Sequence, residues 1–526
     1  MKAVIVGGGH NGLICSCYLA REGLDVLVLE QSDRPGGGSR TEEVIPGYRF
    51  NTHAAAHNII NMTAIPRELR LAEAGLEYRE MDPFASAVFA DGRRVRFHRS
   101  IERTVDSIAE VDRREARAYR EFMQEAVPIV ETAVAGLRMG RGTRSVVSAV
   151  ATQLSSGARV ARAGLVETAA ELLSPYGAVL DARLLSDLTK GPVSAFAAHA
   201  GAGPDVTGGA FFVLWQAAYH LYGQWHPLGG SQSLVDALVR RLESFGARVR
   251  CGALVERVDA AGGRARAVVL ENGERLEADV VVTAMDPKSA LLELLDPPLD
   301  GRPGAELAAT HRSNTVQMVV HAAADRPPPY THGRPEDLHG LQSYVDSLDE
   351  LRRAFRAAEA RRMYLPAQFY AFTPSALDDT LAPPGHHAVY LASPAAPYAL
   401  EGGWEKAAPS VAESMLDQLE ERAPGFRASV QGIATRTPEQ MECELRWPGA
   451  HPMVLDVTPD QLAVMRPTPE LADHRTPVDA LYITGAGTAP VGGIAGAPGR
   501  AAARAVLKDA RTRRRKSHGE GARGVP

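Results

Sequence analysis

Gly7-Gly8-Gly9-His10-Asn11-Gly12 fits the spacing G-x-G-x-x-G, and an acid, Glu30, follows 18 residues after Gly12. These residue types at these distances can hold a dinucleotide. Gly7 permits a tight turn after a strand, Gly9 lets backbone approach a pyrophosphate, and Gly12 lets a helix and a strand pack closely. His10 and Asn11 lie inside the same turn. Phosphate would sit at the N-terminus of the following helix, where free N–H groups and the helix dipole favour an anion. The Glu30 carboxylate, with Gln31 beside it, is placed to accept hydrogen bonds from ribose hydroxyls.

The flanking sequence supplies the elements this requires. Ala3-Val4-Ile5-Val6 reads as a short buried strand, Leu13 to Glu22 as a helix closed by Gly23, and Asp25 to Glu30 as a second, parallel strand. This is a βαβ start. Further along, Ser231 to Phe245 reads as an amphipathic helix ended at Gly246, and Arg248 to Val258 and Asp279 to Thr283 read as strands. Residues 105–175 are helix-rich and 209–220 apolar and aromatic. The Pro-rich stretch 325–335 is a loop, because consecutive prolines neither donate to a ladder nor continue a helix.

A second glycine cluster follows the acid at once, in Asp33-Arg34-Pro35-Gly36-Gly37-Gly38-Ser39-Arg40-Thr41. Such a cluster lets another loop pass close to a cofactor. This Arg-x-Gly-Gly turn resembles that of the amine oxidase and phytoene desaturase flavoproteins. It marks Arg34, Gly37, Gly38 and Ser39 as candidates for the same site, with a solvated arginine as the competing reading for Arg34. The likeness extends to Pro46-Gly47, to residues 228–259, to Ala278–Pro287, to Ser375–His387, to 451–467, and to L-Y-I-T-G-A-G-T-A-P-V-G-G-I-A-G-A-P-G-R at 481–500. On these segments the chain resembles the FAD-dependent phytoene desaturase-like family. Within it, the match is to the branch of the beta-carotene ketolases and the pyridine nucleotide-disulfide oxidoreductase domain-containing protein 2 type.

The resemblance implies FAD as cofactor and an α/β fold, in which a Rossmann-type FAD-binding domain is interleaved with a mixed α+β substrate domain. Nucleotide signals lie at both ends and in the middle. They divide the chain into 1–58, 226–290 and 475–508 for the cofactor, 59–225 and 291–474 for substrate and lid, and 509–526 as a basic disordered tail. The resemblance places adenine near Val255, and Gly485, Ala486, Gly493 and Ile494 along the pyrophosphate and flavin. N–H groups near Gly493 and Ile494 would stabilise negative charge on the reduced ring. His57, Tyr219 and His220 are the polar side chains that could face the flavin, although partly buried histidines and tyrosines are commonly structural. The chain departs from the family at Gly38, where many relatives have arginine, and at His53, where a small residue is common. The prolines at 327–329 and a run within 132–166 whose only charged residues are five arginines (Arg138, Arg141, Arg144, Arg159 and Arg162) are further departures.

The activity implied is that of a dehydrogenase or desaturase moving hydride from a small, apolar organic substrate to flavin N5, with oxygen, a quinone or another carrier as electron acceptor. A redox-neutral isomerase, a ketolase and an amine oxidase are alternatives on the same fold. Outside catalysis, a lipid-binding escort protein is the competing class, opposed by the intact glycine fingerprint and Glu30. A plain NAD-dependent enzyme is opposed by the C-terminal flavin-type motif. A net charge of -5 and 6% aromatic residues give no basis for nucleic-acid binding. Four cysteines without a C-x-x-C pair make neither a redox disulfide nor a disulfide framework, which points to a reduced, cytoplasmic compartment. No His or Cys spacing supports a metal. The chain has neither a signal-peptide pattern nor a long apolar span, while the arginine run leaves peripheral membrane contact open.

Overall fold

The computed structural model describes residues 1–139 and 170–521. Strand β1 (Lys2–Val6), helix α1 (His10–Arg21) and strand β2 (Asp25–Leu29) form the expected βαβ start, with β1 and β2 parallel and Val4 opposite Leu27. Gly23 ends α1 at φ +83°, its N–H bonded to the Ala20 carbonyl at 2.9 Å. The apolar run of β1 is buried on both faces, as a central parallel strand must be.

Three distant stretches of chain complete this sheet. Its five strands run in the order Leu481–Thr484, Val280–Ala284, β1, β2, Arg248–Arg250, all parallel. Packing against α1 from the helices Gln232–Ser244 and Ala497–Gly521 buries Leu13, Leu238 and Val506 in one core. A second sheet of seven strands, Val430–Arg436, Thr315–Ala324, His387–Pro397, Phe369–Phe372, Leu341–Tyr344, Ala85–Val88 and Arg94–Phe97, is antiparallel except where Leu341–Tyr344 meets Ala85–Val88. Helices Arg113–Met139, Asp187–Ala198 and Gln216–Tyr222 cover it, and Phe84, Phe97, Tyr119 and Phe196 fill the space between. The fold is thus an α/β dinucleotide-binding layer interleaved with a mixed α+β layer.

Two expectations are corrected. Arg248 to Val258 is not one strand. It breaks at Gly252, φ +61°, into Arg248–Arg250 of the parallel sheet and Val255–Ala261 of a separate four-stranded sheet. At the break, Gly252 N–H bonds to the Ser32 carbonyl and Ala253 N–H to the Glu30 carbonyl, both at 2.8 Å, so the chain folds round the end of β2. Of the segment expected as a disordered tail, 509–521 continue the last helix, and 522–526 lie outside the described residues. Its arginines and Lys516 are good helix formers, and no proline interrupts them before Gly521. The arginine run falls mostly on 140–169, outside the described residues. Arg138 is described, and its Nε donates to the Met62 carbonyl at 2.8 Å. None of the described helices is long and apolar enough to cross a membrane.

Candidate active site

One cavity, about 730 Å3, runs from the glycine turn to the seven-stranded sheet. At the first end the backbone makes the wall. Gly7 adopts φ +108°, and a Cβ there would sit 2.7 Å from the Ala284 carbonyl oxygen. A Cβ on Gly12 would come within 2.2 Å of the Gly7 carbonyl oxygen, which is why α1 can start so close to β1. Gly9 faces open space, with nothing within 4 Å of where a Cβ would stand. The first turn of α1 leaves N–H groups without intrahelical partners. This donor-rich, side-chain-free cradle fits a pyrophosphate.

Glu30 is buried at the end of β2. Its Oε2 accepts from Gly8 N–H at 2.8 Å and its Oε1 from Ser32 N–H at 3.0 Å. Each oxygen keeps a lone pair for a ribose hydroxyl. Gln31 and Val255 line the cavity beside it. Gly36 N–H bonds to the Gly8 carbonyl at 3.0 Å and ties the second glycine cluster to the first, so Gly37 and Gly38 also reach the wall.

Gly485, Ala486, Gly493 and Ile494 close the other side. Among the described residues no acceptor meets the N–H groups of Gly493 or Ile494. His10 crosses the gap: its Nε2 is 3.1 Å from the Gly493 carbonyl and its Nδ1 3.3 Å from Ser39 Oγ. Burial lowers its pKa to about 4, against a smaller raising effect of the Gly493 carbonyl, so the ring is neutral at pH 7. Because a carbonyl only accepts, Nε2 carries the proton and Nδ1 accepts from the serine.

Several candidates lie elsewhere than the sequence suggests. Ser39 stands behind His10 rather than in the wall. Arg34 points outward, 39% exposed, with its Nη2 3.2 Å from Glu42 and donating to the Thr41 carbonyl. His57 is fully buried between Tyr78 Oη (2.9 Å) and Ser231 Oγ (3.1 Å), and Ser231 in turn donates to the Ala54 carbonyl. It therefore supports the Ala54–Ala56 wall from behind, neutral at a pKa lowered by burial to about 3. His220 bonds Tyr119 Oη at 2.7 Å and the Arg99 carbonyl at 3.2 Å, away from the cavity, because its helix turns Tyr219 inward instead. Of the three catalytic candidates only Tyr219 reaches the cavity. Its phenol makes no hydrogen bond among the described residues, and burial raises its pKa to about 12.

Sequence reasoning missed Arg40, His53, His199, Gln317, Tyr370, Trp447 and Met453, all of which line the cavity. Arg40 ends the second glycine cluster and could have been read there. His53 stands in the sequence as a departure from the family and Met453 within the like segment, while the others come from elements far from any motif. His53 is neutral, its pKa held to about 3 by burial and by the nearby Arg436, His321 and Arg40. Behind Met453, the fully buried Arg466 donates to the carbonyls of Asp456 (2.9 Å), Gln461 (2.7 Å), Leu455 (3.2 Å), Ala486 (3.0 Å) and Met453. It pins the 453–461 loop to the Gly485-Ala486 turn. Among the described residues no cluster of His, Cys, Asp and Glu could hold a metal.

Comparison with known proteins gives the family and the fold. The family model for flavin containing amine oxidoreductase matches residues 12–507. The mouse (Mus musculus) pyridine nucleotide-disulfide oxidoreductase domain-containing protein 2 is 31% identical, over 96% of this chain and 93% of its own length. The lycopene-forming phytoene desaturase of Pseudescherichia vulneris is 25% identical, over 96% and 98%. Among solved structures, an oxidoreductase from Methanosarcina mazei superposes with a TM-score of 0.63 at 17% identity, over 97% of this chain and 100% of that one. The chain belongs to the flavin-containing amine oxidoreductase family and is an FAD-dependent oxidoreductase.

Proposed function

We propose that this oxidoreductase is a dehydrogenase or desaturase that takes hydride from an apolar organic substrate. The observation carrying this reading is the chemistry of the wall opposite the glycine turn. The seven-stranded sheet and its helices contribute His199, Tyr219, Gln317, Leu341 and Tyr370, none of them charged. The charged lining residues Glu30, Arg40, Asp286, Glu293, Glu442 and Arg446 come from the nucleotide-side elements and from the helix Pro438–Leu445 and the segment following it. Such a wall selects for apolar surface and gives an ammonium no counter-ion.

In this reading Gly7, Gly9, Asn11 and Gly12 hold the pyrophosphate, Glu30 and Gln31 the ribose, and Val255 the adenine edge. Gly37, Gly38, Gly485 and Ala486 close around the cofactor. The N–H groups of Gly493 and Ile494 would stabilise negative charge on the reduced ring. Bound FAD supplies the hydride acceptor at N5. The chain binds, orients and excludes water: Tyr219 touches substrate, while His10, Ser39 and His57 are positioning residues. The cofactor part spans 1–58, 226–290 and 475–508, and the substrate part 59–225 and 291–474. Electrons leave to oxygen, a quinone or another carrier. We place the enzyme in the cytoplasm or peripherally at a membrane; no described helix is long and apolar enough to cross one.

The test is an anaerobic visible spectrum of the purified holoenzyme, before and after addition of linear polyenes, cyclic amines and reduced terpenoids. Bleaching of the flavin band near roughly 450 nm by the apolar compounds is the expected result, because the cofactor carries the reaction. Bleaching by amines alone would turn the assignment to amine oxidation, for which the cavity-lining Tyr219, Tyr370 and Trp447 supply aromatic walls. Conversion of an apolar compound without bleaching would turn it to isomerase chemistry.

A further inference from the structure

We propose that the substrate is an apolar compound carrying a hydroxyl group, and that His199 and Tyr219 together bind that hydroxyl. The proposal rests on the dehydrogenase reading above and narrows its substrate class.

His199 caps the C-terminus of helix Asp187–Ala198 and walls the cavity. Its ring packs on Tyr370, with centroids 4.0 Å apart. Its Nδ1 lies 3.1 Å from the Phe196 carbonyl, which can only accept, so Nδ1 bears the proton. Burial lowers the pKa of the ring to about 4, against smaller raising effects of the Phe196 and Ala195 carbonyls. The ring is therefore neutral at pH 7 and Nε2 is an acceptor. That acceptor is sealed from bulk water and has no partner among the described residues. A buried acceptor left unpaired carries its full desolvation penalty, which a ligand's donor would relieve.

Tyr219 supplies the complement. Its phenol stays protonated, lines the same cavity and has no hydrogen-bond partner among the described residues. Both rings rest on Phe196, His199 at 6.1 Å and Tyr219 at 5.7 Å between centroids, and both residues line the same cavity. An aliphatic hydroxyl has one proton to give and lone pairs to receive, and it satisfies both groups. A carbonyl or an ether satisfies Tyr219 alone, and a hydrocarbon satisfies neither. A carboxylate would meet the lone pair of Nε2 without a proton to offer, and no cation on this wall compensates it.

The experiment is calorimetric titration of the FAD-loaded protein with geraniol and with geranyl methyl ether, which differ only in the hydroxyl proton and one methyl group. The expected result is that geraniol binds about 3- to 10-fold more tightly, the range of one neutral hydrogen bond. His199→Phe, which keeps the ring stack, brings the ratio to about 1 with the ether affinity little changed, and His199→Gln, which restores an acceptor, recovers part of the preference. Tyr219→Phe weakens both compounds and leaves their ratio intact. The flavin spectrum confirms that each variant is loaded. Equal affinities in the natural protein, or an undiminished preference in the loaded His199→Phe protein, overturn the hydroxyl site while leaving the apolar cavity standing. If His199→Phe does not hold flavin, Tyr219→Phe decides, and unchanged affinities in it overturn the proposal. Failure of both compounds to bind overturns the apolar-substrate reading and this proposal with it.

Discussion

His10 and Gly493, far apart in the chain, are joined by a 3.1 Å contact from the imidazole Nε2 to the glycine carbonyl. The contact closes the two halves of the cofactor cradle, the glycine turn of α1 and the C-terminal turn, across their shared cavity. Ser39 orients the ring from its far side, its hydroxyl 3.3 Å from Nδ1. His10→Ala is expected to weaken FAD binding about 10-fold, through one lost buried hydrogen bond and the slackened turn. Titration of apoprotein with FAD measures it.

The same burial makes the protein acid-sensitive. His10 has its pKa lowered to about 4 and His57 to about 3, against an unfolded value of 6.5. Because the folded values are depressed, the unfolded chain binds protons that the native state refuses. Stability is therefore highest above pH 6.5 and falls as the pH drops from there towards 4. One such imidazole costs about 2 kcal/mol at pH 5. Thermal melts between pH 7.5 and 4.5 should show the midpoint falling with pH, together with release of flavin. His57→Gln should soften the slope.

The glycine turn gives a sharper test. A methyl at Gly12 would lie 2.2 Å from the Gly7 carbonyl oxygen, backbone that cannot yield without moving β1 away from α1. Gly12→Ala should yield protein that purifies colourless. Glu30→Ala leaves the Gly8 and Ser32 N–H groups unpaired and removes the ribose acceptor. It should lower FAD affinity about 10- to 100-fold, the range for hydrogen bonds to a charged group.

Arg466 is expected to be a stability residue. With no exposed surface it donates to five carbonyls in two loops. Arg466→Met should cost about 3 kcal/mol or more, since several buried acceptors lose their only cationic donor. Arg466→Lys should recover little, because an ammonium cannot reproduce the planar fork. Urea unfolding of the holoprotein measures both.

The parts of this molecule that could be read from sequence are those where backbone geometry alone dictates residue type. Gly7, Gly9, Gly12 and Glu30 form one local βαβ unit, so their spacing carries their positions. The Gly493-Ile494 turn needed the likeness to a family, because nothing local pairs it with His10. His199, Gln317 and Tyr370 left no trace, since each enters the cavity through long-range packing. Gln317 does so from the strand Thr315–Ala324 at the register break between Val316 and Met318, a tertiary feature with no motif of its own. The misplacements follow the same logic. His57 and His220 lie close in sequence to residues of the cavity wall, but their partners, Ser231 and Tyr119, lie on other elements and hold both rings out of the cavity.

Hydride transfer from an apolar substrate is the central claim, and isotopic labelling tests it most directly. The compound found to bleach the flavin would be prepared with deuterium at the reacting carbon and mixed anaerobically with holoenzyme in ordinary water. The account predicts slower bleaching with the labelled compound and loss of one deuterium from the product. Bleaching at an unchanged rate with the label retained, or conversion of the compound with no bleaching at all, would contradict it.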